Sequence, residues 1–269
     1  MKGILLAVLL CVPVLLAVRP VAAQTLYLQP LEGFSWPVSN IPVYFQPLPA
    51  FSGEAAVSAV YGKQAVLNAM NVWNLAQQWF IQKFENGTGT PYRFYEVESN
   101  STKFGIDVGF NATVDQLSSR LETLGAAEYE PAWTQNGTIV SVTCGISLVL
   151  TSSDMEAMSE AGIQSVATHE LGHCLGLDHT AFSTLDLMNA LEGTSVATPS
   201  TLNLYAVYLL SKTDNINAQP TSPIALPDNI PYTMPPRQAV PEFETLPVVL
   251  IVSIFLVVAM SSGRNRNPP

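Results

Sequence analysis

The middle of the chain contains one long stretch with apolar residues at helical spacing. Between residues 53 and 84, apolar side chains recur three and four positions apart, for example at Val66, Met70 and Trp73. The pattern stops before a glycine-containing turn, so it predicts a long amphipathic helix. Its apolar stripe is expected to face a core rather than a cofactor.

Shorter stretches alternate between apolar and polar residues, as half-buried strands do. Residues 127–133 contain Pro131, which suits an edge strand because proline cannot donate a ladder hydrogen bond. Residues 138–150 form the longest candidate strand. The other candidate strands lie at residues 41–47, 92–99 and 103–111.

Two further helices are predicted after the last strand. Residues 160–176 have helical spacing up to Gly176, and residues 199–212 form a helix capped by Ser200 or Thr201. The element order is therefore strand, helix, four strands, helix, loop and helix. It predicts an α+β fold in which a mixed sheet of about five strands packs on two long helices.

The first 23 residues have the pattern of a secretory signal peptide. Lys2 precedes an apolar run, and small residues at Val21 and Ala23 favour cleavage after Ala23. The alternative is a retained membrane helix, which fits less well because the run is short and is interrupted by Pro13.

The C-terminal end carries a second apolar run, at residues 246–260. A helix of this length covers about 22 Å, less than the roughly 30 Å of a hydrocarbon core. We therefore treat residues 246–262 as a transmembrane or sorting segment. Acidic residues precede it and two arginines follow, so the positive-inside tendency places residues 263–269 in the cytoplasm as a short basic tail.

The Pro241-Glu242-Phe243 triplet, followed by an apolar segment and a basic end, resembles the sorting tails of exported archaeal proteins. This resemblance implies a membrane transpeptidase as a partner that cuts and replaces the tail. A plain single-pass anchor is the alternative. Both interpretations predict an exported protein at the extracellular face of the membrane.

The region between the last helix and the apolar tail is rich in proline. Residues 214–245 are otherwise polar and show no apolar periodicity, which predicts an extended, semi-rigid stalk. The globular domain is then expected at residues 24–213, long enough for one domain with a proper core.

Composition narrows the range of partners. The chain has 21 acidic and 11 basic residues and a formal net charge of −10, which disfavours nucleic acid and anionic lipid surfaces. An acidic domain is compatible with structural calcium, for which the sequence assigns no ligands. Candidate N-glycosylation sites in exposed loops are Asn86, Asn100, Asn111 and Asn136.

Two cysteines remain once Cys11 is removed with the signal peptide. In an exported chain, Cys144 and Cys174 are expected to form a disulfide. Two buried free thiols are the alternative.

The chain has three histidines, and all of them lie within residues 169–179. On a helix, His169 and His173 share one face and can bind a single ion. Gly176 can adopt the left-handed conformation that ends the helix and lets His179 provide a third ligand. Zinc accepts three such nitrogens in a tetrahedron and leaves the fourth position for water at a catalytic site.

Glu170 and Cys174 lie on the same predicted helix as the first two histidines. Glu170 is about 100° around the helix from His169, beside the metal but not bound to it. There it can act as general base and then general acid, taking a proton from zinc-bound water. Cys174 is about 140° from His169, so it points away from the ion.

Residues 169–179 of this chain, His-Glu-Leu-Gly-His-Cys-Leu-Gly-Leu-Asp-His, match the extended zinc motif of the metzincin proteases and most resemble the matrixins. This resemblance implies a zinc endopeptidase whose small C-terminal subdomain contains the third helix. It also implies that Met188 forms a floor below the metal. A polypeptide substrate would lie along the edge strand at residues 127–133, and residues 189–199 would line a specificity pocket.

The sequence departs from some members of that family. Asn189 follows the methionine, which excludes a tyrosine ligand at that position, and no histidine is left for a second zinc. A non-catalytic zinc-stabilised surface or adhesion module is the alternative function. Glu170 discriminates between the two, because a structural zinc site has no use for an unbound carboxylate.

Overall fold

The computed structural model describes residues 26–99, 104–113, 124–133, 139–152, 156–181, 183–190, 198–212 and 223–236. The predicted signal peptide, the C-terminal segment and tail, Asn100 and Asn136 lie outside these ranges, as does most of the predicted specificity pocket. Within these ranges, no helix combines the length and apolar composition that a bilayer crossing needs.

The described residues form an α+β fold, as predicted. The helices are α1 (Glu54–Phe84), α2 (Glu160–Cys174) and α3 (Thr201–Lys212). The strands are β1 (Leu28–Gln29), β2 (Asn40–Phe45), β3 (Arg93–Val97), β4 (Phe104–Asn111), β5 (Gly125–Trp133), β6 (Ile139–Val149) and β7 (Ile224–Ala225).

Five of the strands form one mixed sheet in the order β3-β2-β4-β6-β5. The first four strands run parallel to one another, and β5 runs antiparallel to β6 at the edge. The prediction of an edge strand around Pro131 is therefore confirmed, and the strand begins earlier than predicted, at Gly125. An edge position suits Pro131, which pairs with Val142 on one side only.

Helix α1 buries the apolar stripe that its sequence predicts. Val66, Trp73 and Phe80 are fully buried in the core, and α1 packs against both α2 and the sheet. The Trp73 indole donates a hydrogen bond to the Thr168 carbonyl in α2 (2.8 Å). The polar end of a buried tryptophan is thereby satisfied, and the two long helices are held together just before the histidine cluster begins.

The structure pairs Cys144 of β6 with Cys174, the last residue of α2, in a disulfide. Their Cα atoms are 5.7 Å apart and 30 positions separate them in sequence. Closing a loop of this size stabilises the fold by about 3 to 4 kcal/mol in the chain-entropy model. The bond also ties the C-terminal end of α2 to β6, the strand next to the edge strand β5.

The prediction of an extended stalk is wrong for residues 223–236. In this segment β7 pairs with β1 in an antiparallel two-stranded sheet, and Leu226 and Ile230 are buried. Tyr232 stacks on Tyr27 with ring centroids 5.0 Å apart. Proline-rich sequence does favour an extended chain, but extended chain can pack as a short edge strand as readily as it can project into solvent.

Candidate metal centre

The fold brings the three histidines to one point. Their Nε2 atoms form a triangle with sides of 3.1 Å (His173 to His169), 3.2 Å (His173 to His179) and 3.2 Å (His169 to His179). Tetrahedral zinc with nitrogen ligands at about 2.0 to 2.1 Å places those ligands about 3.3 Å apart. The triangle therefore fits a single ion. His169 and His173 are buried and His179 is exposed, so the site opens to solvent on one side.

Backbone carbonyls fix the orientation of two of the imidazoles. His169 Nδ1 donates to the Leu187 carbonyl (2.6 Å), and His173 Nδ1 donates to the Leu177 carbonyl (2.8 Å). A neutral imidazole that donates through Nδ1 has a lone pair on Nε2. The two Nε2 atoms lie 3.1 Å apart, so both lone pairs are available to one ion held between them.

The electrostatics keep most of the cluster in the neutral form that binds metals. Burial and the nearby His173 and His179 lower the pKa of His169 to about 3, although the Leu187 hydrogen bond opposes this. Burial and His173 also lower the pKa of His179. Burial acts in the same direction on His173, but the hydrogen bond to Glu32 and the charges of Glu170 and Glu32 outweigh it and raise its pKa.

Helix α2 ends in a Schellman motif centred on Gly176. The Gly176 N–H donates to the His173 carbonyl (2.8 Å), and the Leu177 N–H donates to the Gly172 carbonyl (3.1 Å). Gly176 has φ +94°, and a Cβ there would lie 2.7 Å from the Phe34 carbonyl oxygen. The predicted left-handed turn is thus present, and both backbone conformation and space require glycine.

The loop that presents His179 is held by the segment at the start of the domain. The Asp178 N–H donates to the Pro30 carbonyl (3.0 Å), and the Asp178 carbonyl accepts from the Gln29 side chain (2.6 Å). Gln29 is fully buried. No sequence pattern links Gln29 to Asp178, which lies 149 positions further along the chain.

Met188 lies beneath the helical turn that carries the first two histidines. Its side chain is fully buried, and its sulfur occupies the space that a Cβ on Gly172 would need. The Met188 carbonyl accepts from the Thr180 N–H (2.8 Å), one residue after His179. Met188 therefore packs against the helical turn between His169 and His173, and its role as a floor below a metal stays a prediction of the metzincin resemblance.

The turn before Met188 is organised by a buried carboxylate, Asp186, that sequence reasoning missed. Asp186 is 2% exposed and lies two residues before Met188. It accepts hydrogen bonds from the Met188 N–H (2.9 Å), Ser200 Oγ (2.7 Å), Asn203 Nδ2 (3.0 Å) and the Tyr232 hydroxyl (2.8 Å). These bonds fix the position of the Leu187 carbonyl, which orients His169. The only sequence signal was an aspartate between two leucines.

Glu170 is buried beside the histidines and contacts the first residue of the edge strand. It is 3% exposed, and its charge helps to raise the pKa of His173. A Cβ built on Gly125 would lie 2.8 Å from Glu170 Oε1 and 2.5 Å from Val166 Cγ1. Gly125, which sequence reasoning also missed, thus leaves the space that the carboxylate of Glu170 occupies.

A second carboxylate, Glu32, approaches the cluster from the segment between β1 and β2. Its Oε1 lies 3.1 Å from His173 Nδ1, and its Oε2 accepts from the Tyr129 hydroxyl of β5 (2.5 Å). Burial acts to raise the pKa of Glu32, but the hydrogen bonds from His173 and Tyr129 outweigh it and lower the pKa. Burial and Glu32 together raise the pKa of Tyr129 to about 12, so the phenol remains a donor.

Two of the four candidate N-glycosylation sites, Asn86 and Asn111, lie within the described residues. Asn86 is exposed just after α1, and Asn111 is half-buried at the end of β4.

Among the described residues, the three histidines are the one group of three or more His, Cys, Asp or Glu side chains close enough together to hold an ion. No calcium ligands can be assigned in that part of the chain.

The chain matches no family model, and no curated protein matches its sequence.

Proposed function

We propose that this protein is a zinc-dependent endopeptidase that acts on extracellular or cell-surface proteins. The observation that carries the proposal is the convergence of three Nε2 atoms at 3.1 to 3.2 Å from one another. Glu170 lies buried on the same helix, next to His169. The resemblance of residues 169–179 to the metzincin motif supports the same conclusion.

The donor set favours zinc in an open, catalytic coordination. Imidazole suits zinc, and catalytic zinc sites have three protein ligands whereas structural sites have four. Among the described residues, the three histidines have no fourth His, Cys, Asp or Glu partner at the centre. The exposure of His179 gives a substrate access to that side of the site.

The chain's own residues supply the proton transfers and the binding edge. When bound, zinc polarises the scissile carbonyl and makes water acidic enough to act near neutral pH. The Glu170 carboxylate takes the proton from the attacking water and delivers it to the leaving amine nitrogen. Strand β5 lies at the sheet edge with Gly125 against Glu170, so an extended polypeptide paired with this edge would pass the general base.

Replacement of Glu170 by Gln tests the mechanism. The zinc-loaded variant is expected to retain its metal and lose cleavage of an unfolded polypeptide by at least about 100-fold, because general acid–base catalysis contributes about that much or more. Glu160→Gln, in the first turn of the same helix, is the matched control and should cleave normally. Retained cleavage in the Glu170 variant would exclude the proposed base. Zinc binding without cleavage by the wild-type chain would favour the non-catalytic surface module.

We also propose that the protein is exported and held at the extracellular face of the membrane by its C-terminal segment. The Cys144–Cys174 disulfide supports export, because such bonds persist in oxidising compartments. Intact-mass analysis of the native protein tests this proposal. It should show loss of residues 1–23, and either a retained tail or a new C-terminus made by a sorting transpeptidase. A chain that keeps its first 23 residues would contradict the signal peptide.

A further inference from the structure

A hydrogen-bonded chain links the edge strand to one of the metal-binding histidines. It runs from the Tyr129 hydroxyl through the Glu32 carboxylate to His173 Nδ1. We propose that Glu32 is a positioning residue that strengthens metal binding through His173, and that Tyr129 holds its carboxylate in place. The inference rests on the proposed function, since it assumes that the histidines hold a metal.

Both ends of Glu32 are fixed. Its N–H donates to the Gly176 carbonyl (2.9 Å), which anchors its backbone to the turn between His173 and His179. Its side chain is held by Tyr129, whose ring packs on Phe34 with centroids 4.8 Å apart. A carboxylate that swings away from His173 would therefore also lose its hydrogen bond from Tyr129.

The charge of Glu32 has an effect on His173 that a neutral carbonyl does not have. The His173 Nδ1 proton lies between the Leu177 carbonyl (2.8 Å) and Glu32 Oε1 (3.1 Å). The carbonyl alone fixes the ring, as the Leu187 carbonyl does for His169. A carboxylate on the distal nitrogen also makes Nε2 a stronger donor to a metal. The side chains of His173 and Glu32 are only 10% and 16% exposed, so solvent screens this charge weakly.

Tyr129 extends this link to the strand proposed to bind substrate. Side chains two positions apart on a strand share a face, so Gly125, Ala127 and Tyr129 lie on one face of β5. Gly125 contacts Glu170 and Tyr129 contacts Glu32. One face of the edge strand thus positions both the general base and the carboxylate behind a metal ligand.

The test is zinc affinity of the full chain, measured by competition with a chelator at fixed pH. Glu32→Gln keeps the size and one acceptor of the side chain but removes its charge, and it should weaken zinc binding about 10- to 100-fold. Tyr129→Phe should weaken it severalfold. Glu130→Gln, an exposed neighbour on β5, is the matched control and should leave the affinity unchanged. The visible spectrum of the cobalt-loaded protein should shift in the Glu32 variant and not in the control.

Glu32→Ala separates positioning by charge from simple support of the fold. If Gln preserves zinc affinity to within twofold while Ala lowers it, Glu32 is only a neutral hydrogen-bond acceptor and the proposal is overturned. An unchanged affinity in both variants would overturn it as well. If the Glu32 variants fail to fold, an unchanged affinity in Tyr129→Phe counts against the link. The readout is metal affinity, so absence of peptide cleavage by the wild-type chain would refute the proposed protease without deciding this test.

Discussion

At the residue scale, the position of the Glu170 carboxylate depends on a glycine in another element. Gly125 has no side chain, and the space in front of it is filled by Glu170 and Val166. Glu170 is buried, so a displaced carboxylate has no open solvent to move into. A shift of even about 1 Å at a reacting group lowers catalytic rates substantially.

Gly125→Ala should therefore reduce peptide cleavage by about 10- to 100-fold while zinc remains bound. The added methyl group would also lower the free energy of unfolding by about 1 to 3 kcal/mol through overpacking. Gly145→Ala on the neighbouring strand β6 is the matched control, because the nearest atom to its Cβ lies at an ordinary 3.9 Å. Cleavage rates and chemical denaturation of both variants provide the measurement. Equal rates for Gly125→Ala and wild type would show that Gly125 does not position Glu170.

At the element scale, the end of helix α2 sets the position of the third histidine, His179. The Schellman hydrogen bonds around Gly176 reverse the chain within one turn. The backbone of residues 30 and 32 then forms hydrogen bonds with the backbone of residues 176 and 178. His179 therefore depends on a helix terminus rather than on the helix itself. The disulfide at Cys174 anchors that terminus to β6.

Gly176→Ala should destabilise the protein more than an ordinary glycine substitution. It combines a left-handed backbone, costing about 1 to 2 kcal/mol, with a clash against the Phe34 carbonyl. Gly87→Ala, in the turn after α1, is the control, since Gly87 also has positive φ (+73°) but nothing lies within 4 Å of its Cβ. Chemical denaturation should show a clearly larger loss for Gly176→Ala, and zinc affinity should fall in that variant alone. Equal losses would mean that the contact with Phe34 has no energetic consequence.

The elements that the sequence predicted well are those with local signals. Helical spacing located α1 to within one residue at its start, and the spacing of His169, His173 and Gly176 is itself a local geometric rule. Glu32, Gly125 and Asp186 act through contacts between segments far apart in the chain, and no periodicity records such contacts. The packing of residues 223–236 was missed for the same reason.

At the scale of the whole molecule, both terminal segments of the described domain support the histidine cluster. β1 pairs with β7, Tyr27 stacks on Tyr232, and the Tyr232 hydroxyl reaches Asp186 below the histidines. The segment that leads toward the C-terminal tail is therefore part of the domain that carries the site. Residues 214–236 cannot all be treated as a passive spacer.

Tyr232 provides a test of this connection through the pH dependence of stability. Burial and the charge of Asp186 raise its pKa above the usual value of about 10, so the folded state holds this proton more tightly than the unfolded chain. The stabilisation is fully present below about pH 10 and is lost progressively as the pH rises further. Tyr232→Phe also removes the hydrogen bond to a buried carboxylate, which should cost about 1 to 3 kcal/mol at neutral pH.

The free energy of unfolding, measured from pH 7 to 11, should therefore differ between wild type and Tyr232→Phe by an amount that shrinks above about pH 10. Other buried tyrosines titrate in both proteins, so the difference isolates Tyr232. Tyr95→Phe is the control because that side chain is 43% exposed, and it should track wild type throughout. A constant difference across this range would show that Tyr232 stabilises the domain without sensing Asp186. No difference at any pH would mean that the Tyr232 hydroxyl does not support the turn that orients His169.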